Sequence, residues 1–161
     1  MSMEIRAMTP ADWPRVADVY TQGIKTGIAT FTTQCPPYES WDAAHLPHSR
    51  LVAVLEGETV GWAALSPVSQ RAAYAGVAEV SIYVDAACKG RGVGTRLLRA
   101  LCERSVAEGI WTLQSTVLTI NETSLRLHKR CGFRTVGVRE RLARDHNGVW
   151  RDVYLLERRV P

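Results

Sequence analysis

Six consecutive residues, Lys89-Gly90-Arg91-Gly92-Val93-Gly94, are the segment of this chain best suited to chemistry. Glycines let the backbone turn tightly and bring its N–H groups close to a phosphate. A helix opening at Gly92 adds unpaired donors and a favourable dipole. Lys89 and Arg91 supply charge that a pyrophosphate would attract, and Thr95 falls on the first turn of the same helix. The run lacks the terminal Lys-Ser/Thr of a Walker motif and the ribose-binding acid context of a dinucleotide fold. What it implies is an adenylate-bearing ligand outside those two classes.

Two side chains suit proton transfer. Glu79 falls on the polar side of a strand over residues 77–84, where Ala78, Val80, Ile82 and Val84 alternate with Glu79, Ser81 and Tyr83. A carboxylate there can take a proton from an amine; a solvated strand-face carboxylate is the alternative. On a short helix over 121–130, Asn121, Ser124 and His128 recur three to four residues apart and share one side. Imidazole titrates near neutrality, so His128 suits either an acid or a base. Asn121 also suits the N-cap of that helix.

The four cysteines form no C-x-x-C pair and the four histidines no H-x-x-x-H pair, so free structural thiols and no metal are expected. The net charge of +4 is local. Lys89, Arg91, Arg96 and Arg99 surround the glycine turn, and Arg126, Lys129 and Arg130 lie on the 121–130 helix. That suits an anionic cofactor better than the broad stripe a duplex needs. Arginines and lysines do not alternate with aromatics as a stacking platform requires, so no nucleic-acid partner is expected. No apolar run is long enough for a membrane span. Residues 1–6 carry Glu4 and Arg6 instead of a basic patch and an apolar run, which makes the cytoplasm the expected compartment.

At 161 residues, 46% hydrophobic and 22% charged, the chain suits one globular domain over 1–161. The pattern predicts a strand at 5–8 and a helix over 10–22, with Thr9 as N-cap and Asp12 in the capping-box place where Glu is usual. Residues 23–37 read as loop, with Thr30-Phe31-Thr32 a ligand-facing candidate, and 39–45 as a short helix. A hairpin follows (50–55 and 59–65), then a loop over 66–76. After the 77–84 strand come a helix at 92–108, a strand at 113–118, the 121–130 helix, and strands at 133–140 and 149–157 around the Asp145-His146-Asn147-Gly148 turn. The class is mixed α/β: a central, mostly antiparallel sheet flanked by helices.

These segments resemble the GCN5-related N-acetyltransferases. The Lys89–Gly94 run resembles that family's pyrophosphate loop, Gln/Arg-x-x-Gly-x-Gly/Ala, with Lys in the first place. Val80-Ser81-Ile82-Tyr83-Val84 resembles the strand whose backbone pairs with the pantetheine arm, and Asn121-x-x-Ser124 through Gly132-Phe133 the closing helix. Closer still is the likeness to phosphinothricin and methionine sulfoximine acetyltransferases. It rests on Arg71-x-x-Tyr74, Glu79, Ser81-x-Tyr83-Val84, Leu127-His128 and Asn147-Gly148-x-Trp150-x-Asp152-Val153, and it covers residues 5–156.

The resemblance implies acetyl-coenzyme A as co-substrate, held by Ile82, Tyr83, Val84, Lys89–Gly94, Thr95, Asn121 and Ser124. It also implies a small amino-acid acceptor and a homodimer. Glu79 would be the base and His128 the second proton-transfer group, in a place where the wider family often has tyrosine. A backbone N–H near Ser81 to Tyr83 would polarise the thioester carbonyl. Arg71 would receive the acceptor's carboxylate, with Tyr74 and Phe31 shaping its pocket, and Trp150 would serve packing or a dimer contact. Other acceptors (a polyamine, an aminoglycoside, a protein N-terminus) and a non-catalytic acyl-coenzyme A-binding domain are the competing readings. The 66–76 loop has no carboxylate for a cationic acceptor, which disfavours the first two.

Overall fold

A computed structural model describes residues 2–160. Seven strands form one sheet in the order β1-β2-β3-β4-β5-β7-β6: β1 Met3–Ala7, β2 Leu51–Leu55, β3 Glu58–Pro67, β4 Val77–Val84, β5 Thr112–Leu118, β6 Arg134–Arg144 and β7 Trp150–Arg159. Every neighbouring pair is antiparallel except β4 and β5. Four α-helices accompany it: α1 Trp13–Lys25, α2 Tyr38–Ala44, α3 Val93–Ala107 and α4 Glu122–Arg130. The mixed, mostly antiparallel sheet matches the expected class.

Strand alternation divides the core into two layers. On β3, Ala63 and Leu65 join the larger cluster with Leu97, Leu98 and Leu101 of α3. Trp62 and Ala64 point the other way, to Val16 and Val19 of α1 and Trp41 of α2. The polar side expected for β4 is therefore only partly polar. Tyr83 is stacked on Trp62 at 5.1 Å and packs against Tyr20 at 4.9 Å, because α1 and α2 cover that face. Burial pushes the Tyr83 hydroxyl far above its ordinary range.

At the N-terminal turn, Asp12 does serve the capping box. Thr9 N–H donates to Asp12 Oδ2 at 2.8 Å, and Arg6 grips both carboxylate oxygens at 2.8 Å. The Arg6 bonds, with help from Thr9, hold Asp12 down at about 2 against the cost of its burial. A 3-10 turn, Pro10–Asp12, precedes α1, which runs three residues past the expected end at 22. Bulges carry β6 to Arg144, four residues beyond the expected 140, so the β6–β7 hairpin projects farther than the alternation suggested.

Candidate active site

β4 and β5 pair only over Val77↔Thr112, Ala78↔Leu113 and Glu79↔Gln114, then part. Past that fork a cavity of about 170 Å³ opens between them. Val80, Ser81, Ile82 and Tyr83 line one wall, Ser115 to Leu118 the other, and Asn121, Ser124 and His128 of α4 close one end. Phe31 and Thr30 from the α1–α2 loop lie on its rim, with Glu79 at the fork itself.

The direction of the β4 backbone decides what the cavity offers. Asp85 N–H donates to Val60 O at 2.8 Å, so Asp85 faces β3 in a hydrogen-bonded pair. Such pairs alternate along an antiparallel ladder, which commits Tyr83 and Ser81 to β3 as well. Val80, Ile82 and Val84 then direct their N–H and C=O groups to the β5 side, where pairing has stopped. The expected backbone contribution is therefore corrected: Ile82 and Val84 present free groups to the gap, whereas those of Ser81 and Tyr83 are taken up by β3. Of the donors expected near Ser81 to Tyr83 to polarise a carbonyl, Ile82 N–H remains.

Glu79 Oε1 accepts a 2.9 Å hydrogen bond from Gln114 Nε2. Its second oxygen has no protein donor among the described residues. Gln114 was not a candidate from the sequence. It is an ordinary polar residue on a strand, and only the β4–β5 register, across 35 positions, brings it to Glu79.

His128 is 1% exposed. Its Nδ1 lies 2.8 Å from Ser124 O, and a carbonyl only accepts, so Nδ1 carries the hydrogen and Nε2 a lone pair. Nε2 is buried with no partner among the described residues, and burial holds the imidazole below its ordinary pKa. The ring is thus neutral at pH 7. In this tautomer the Nε2 lone pair can accept a proton.

The end of α4 helps to fix this ring. Gly132, at φ 91°, lets Gly132 N–H reach Lys129 O and Phe133 N–H reach His128 O. That is the Schellman closure, and its apolar contact is Phe133 set edge-on to His128 at 5.0 Å. At the other end Asn121 Oδ1 accepts from Ser124 N–H at 3.3 Å and caps the helix.

In the glycine turn, Gly90 and Gly92 adopt φ of 80° and 77°, and Gly92 is the N-cap of α3 with no side-chain cap. The first N–H groups of α3 are left for an outside acceptor, and Lys89 and Arg91 are exposed beside them. Gly94 does a different job: a Cβ there would meet Leu127 of α4 at 3.2 Å. Val93 is buried in the core beneath, and Thr95 Oγ1 accepts from Arg130 at 3.1 Å. Free strand groups continuous with an open helix N-terminus suit a long ligand ending in phosphates, as coenzyme A does.

Arg71 and Tyr74 depart from expectation. Both are exposed on or beside the 3-10 turn Ala72–Tyr74, with the guanidinium over the Tyr74 ring at 5.7 Å, and neither lines the cavity. Their loop enters β4 at its paired end, where Gly76 O accepts from Trp111 and Thr112, while the cavity opens from Glu79 onward. Of the expected acceptor-pocket trio, one chain brings only Phe31 to the site.

Known proteins share this fold. The family model described as Acetyltransferase (GNAT) family matches residues 13–133. The phosphinothricin N-acetyltransferase of Streptomyces coelicolor is 30% identical, the alignment covering 97% of this chain and 95% of that one. The L-methionine sulfoximine/L-methionine sulfone acetyltransferase of Pseudomonas aeruginosa is 28% identical over 98% and 94%. A crystal structure of a phosphinothricin acetyltransferase from Sinorhizobium meliloti, in complex with AcCoA, superposes with a TM-score of 0.88 at 25% identity, covering 99% of this chain and 89% of that one. A forked sheet, an open phosphate turn and a family match across three quarters of its length have one common reading: this chain belongs to the acetyltransferase (GNAT) family and is an acetyl-coenzyme A-dependent N-acetyltransferase.

Proposed function

We propose that this enzyme acetylates the α-amine of a small amino acid or analogue of the phosphinothricin or methionine sulfoximine type, by direct transfer. The observation that carries the proposal is that Glu79, at the β4–β5 fork, and His128, on α4, line one crevice. The names of the relatives favour this acceptor class over a polyamine or aminoglycoside.

Acetyl-coenzyme A supplies a thioester carbonyl carbon, to which the amine nitrogen bonds as the carbon–sulfur bond breaks. Glu79, with one oxygen fixed by Gln114, takes a proton from the incoming ammonium on the other oxygen, directly or through a water. The second nitrogen-bound proton goes to the His128 Nε2 lone pair and on to the leaving sulfur, which returns the ring to neutrality. Ile82 N–H, a donor fixed before the reaction starts, stabilises charge on the carbonyl oxygen. Ile82 and Val84 hold the pantetheine arm, and Lys89–Gly94 with the start of α3 hold the phosphates. Thr95, Asn121 and Ser124 complete the donor side, and Phe31 borders the acceptor.

A homodimer belongs to the same reading. Val136, Val138, Leu142 and Trp150 expose apolar surface on the projecting β6–β7 hairpin, which favours a covered face. Sedimentation at micromolar concentration should give twice the chain mass.

The activity is tested with acetyl-coenzyme A and a panel of amines, following thiol release. Phosphinothricin, methionine sulfoximine or methionine sulfone should turn over. Turnover confined to polyamines or to a peptide N-terminus would remove the amino-acid reading while leaving the acetyltransferase intact.

A further inference from the structure

Behind Phe31 lies a second cavity, of about 240 Å³, which shares Thr30 and Phe31 with the first as a common wall. Ile24, Lys25 and Gly27 from the end of α1, Thr32 and Thr33 from the following loop, and Asp145 and His146 from the β6–β7 turn line it. The polar groups here differ from those around Glu79. Lys25 forms no ion pair among the described residues, and His146 makes no side-chain hydrogen bond among them.

Asp145, the one carboxylate of the lining, is already engaged. Its Oδ1 accepts from Asn147 and Val149 N–H at 2.9 and 3.0 Å, and its Oδ2 from Arg151 Nε at 3.0 Å. These bonds hold its pKa below the ordinary carboxylate range and offset its charge. The groups left for a ligand are therefore an ammonium, an imidazole and the hydroxyls of Thr32 and Thr33. Such a set attracts an anion. A cation on the last turn of α1 suits the helix dipole in any case. The independent observation is the cavity beside it, joined through the Phe31 wall to the crevice that holds Glu79.

We infer that this second cavity receives the anionic end of the acceptor's side chain through Lys25 and His146. The inference rests on the amino-acid reading above and narrows it: the favoured acceptors are amino acids whose side chain ends in a carboxylate or phosphinate. Position decides against the α-carboxylate as the group bound here. An α-carboxylate stays within two bonds of the amine, on the Glu79 side of Phe31, while a glutamate-length side chain can extend past the ring. Arg71, which lies outside both cavities in one chain, does not supply this cation.

The test compares matched pairs, glutamate with glutamine and phosphinothricin with methionine sulfone, in the wild type, in Lys25→Met and in Lys25→Met/His146→Gln. Both positions are exposed, so the variants should fold. The wild type should favour the acid of each pair in kcat/KM. Lys25→Met should reduce that preference roughly two- to fivefold, the range for an ion pair close to solvent, with the KM for acetyl-coenzyme A unchanged. Added salt should erode the wild-type preference and leave that of the double variant flat. An acid preference that survives in the double variant, or none in the wild type, overturns the inference. The same pairs are also measured as equilibrium ligands in the presence of coenzyme A. Selective binding of the acid without its acetylation would defeat the amino-acid acetyltransfer reading and leave the anion site standing.

Discussion

Gln114 donates to Glu79 on the last rung that β4 and β5 share, at 2.9 Å, and the strands separate immediately beyond it. One residue pair thus marks where the sheet opens and fixes one oxygen of the carboxylate lining the opening. The other oxygen has no protein donor among the described residues.

Removing that donor should cost turnover more than binding. Gln114→Leu removes the donor at similar side-chain size and frees Glu79 to rotate. We expect kcat with the acceptor to fall about tenfold, the scale of one hydrogen bond to a charged group, while the KM for acetyl-coenzyme A stays as it was. Steady-state kinetics with each substrate varied in turn will show it. An equal loss in the KM for acetyl-coenzyme A would mean that the fork itself had shifted and that Gln114 is a structural bridge.

The glycines of the cofactor turn should separate by role. Gly92→Ala places a Cβ on a left-handed residue, a strain of about 1–2 kcal/mol, in otherwise open space. It should raise the KM for acetyl-coenzyme A with a modest loss in stability. Gly94→Val drives side-chain atoms toward Leu127 and should cost about 1–3 kcal/mol through overpacking between α3 and α4. Thermal unfolding beside donor kinetics distinguishes them. If Gly92→Ala leaves donor kinetics untouched in a folded protein, the phosphate-binding role of the turn is lost.

Burial of His128 has a stability consequence whose sign can be worked out. The folded state holds its pKa below the unfolded value of 6.5, so below that value the unfolded chain binds more protons. The contribution is fully present above 6.5 and is lost as pH falls from there through the lowered folded pKa. His45, also depressed by burial, acts with the same sign, while Asp12 acts lower, between 3.8 and about 2. His128→Gln should therefore lose less stability than the wild type between pH 7.5 and pH 5, the remaining slope belonging in part to His45. Denaturant unfolding at the two pH values measures the difference, and equal slopes would place the His128 ring in contact with water.

How far the site was legible varies with the range of the forces involved. The glycine turn, the capped α4 and the β4 alternation are written in local spacing, and they emerged where that spacing put them. Four features were not local. Tyr83 reads as a polar-side residue until Trp62 and Tyr20 arrive from other elements to cover its ring in part. Gln114 becomes special only through a parallel register with a strand 35 residues away. Arg71 was expected at the acceptor from the resemblance, yet closeness to Glu79 in the sequence does not set direction. Gly76, flat beneath the Trp111 ring, leads the loop away at the closed end of the fork. Lys25 carried no local signal at all, since its cavity is completed by His146 from the far end of the chain.

The last prediction concerns Gly132, which never touches the cavity. Its φ of 91° permits the closure in which Phe133 N–H bonds to His128 O and the Phe133 ring stands edge-on to the imidazole. Alanine at that φ is strained by about 1–2 kcal/mol, and its Cβ would lie 3.4 Å from Arg158 Nε, a flexible group able to yield. The fold should survive with a lower melting temperature, while the last turn of α4 loosens and the His128 ring loses its fixed bearing. A positioning effect of this kind lowers kcat without weakening the donor, because the strand groups of Ile82 and Val84 and the open end of α3 are unaffected. Gly132→Ala should therefore reduce kcat severalfold at constant KM for acetyl-coenzyme A. Gly132→Asn, a residue that tolerates the left-handed region better, should recover part of it. If both variants melt lower but turn over like the wild type, the Schellman closure stabilises the helix and has no part in placing His128.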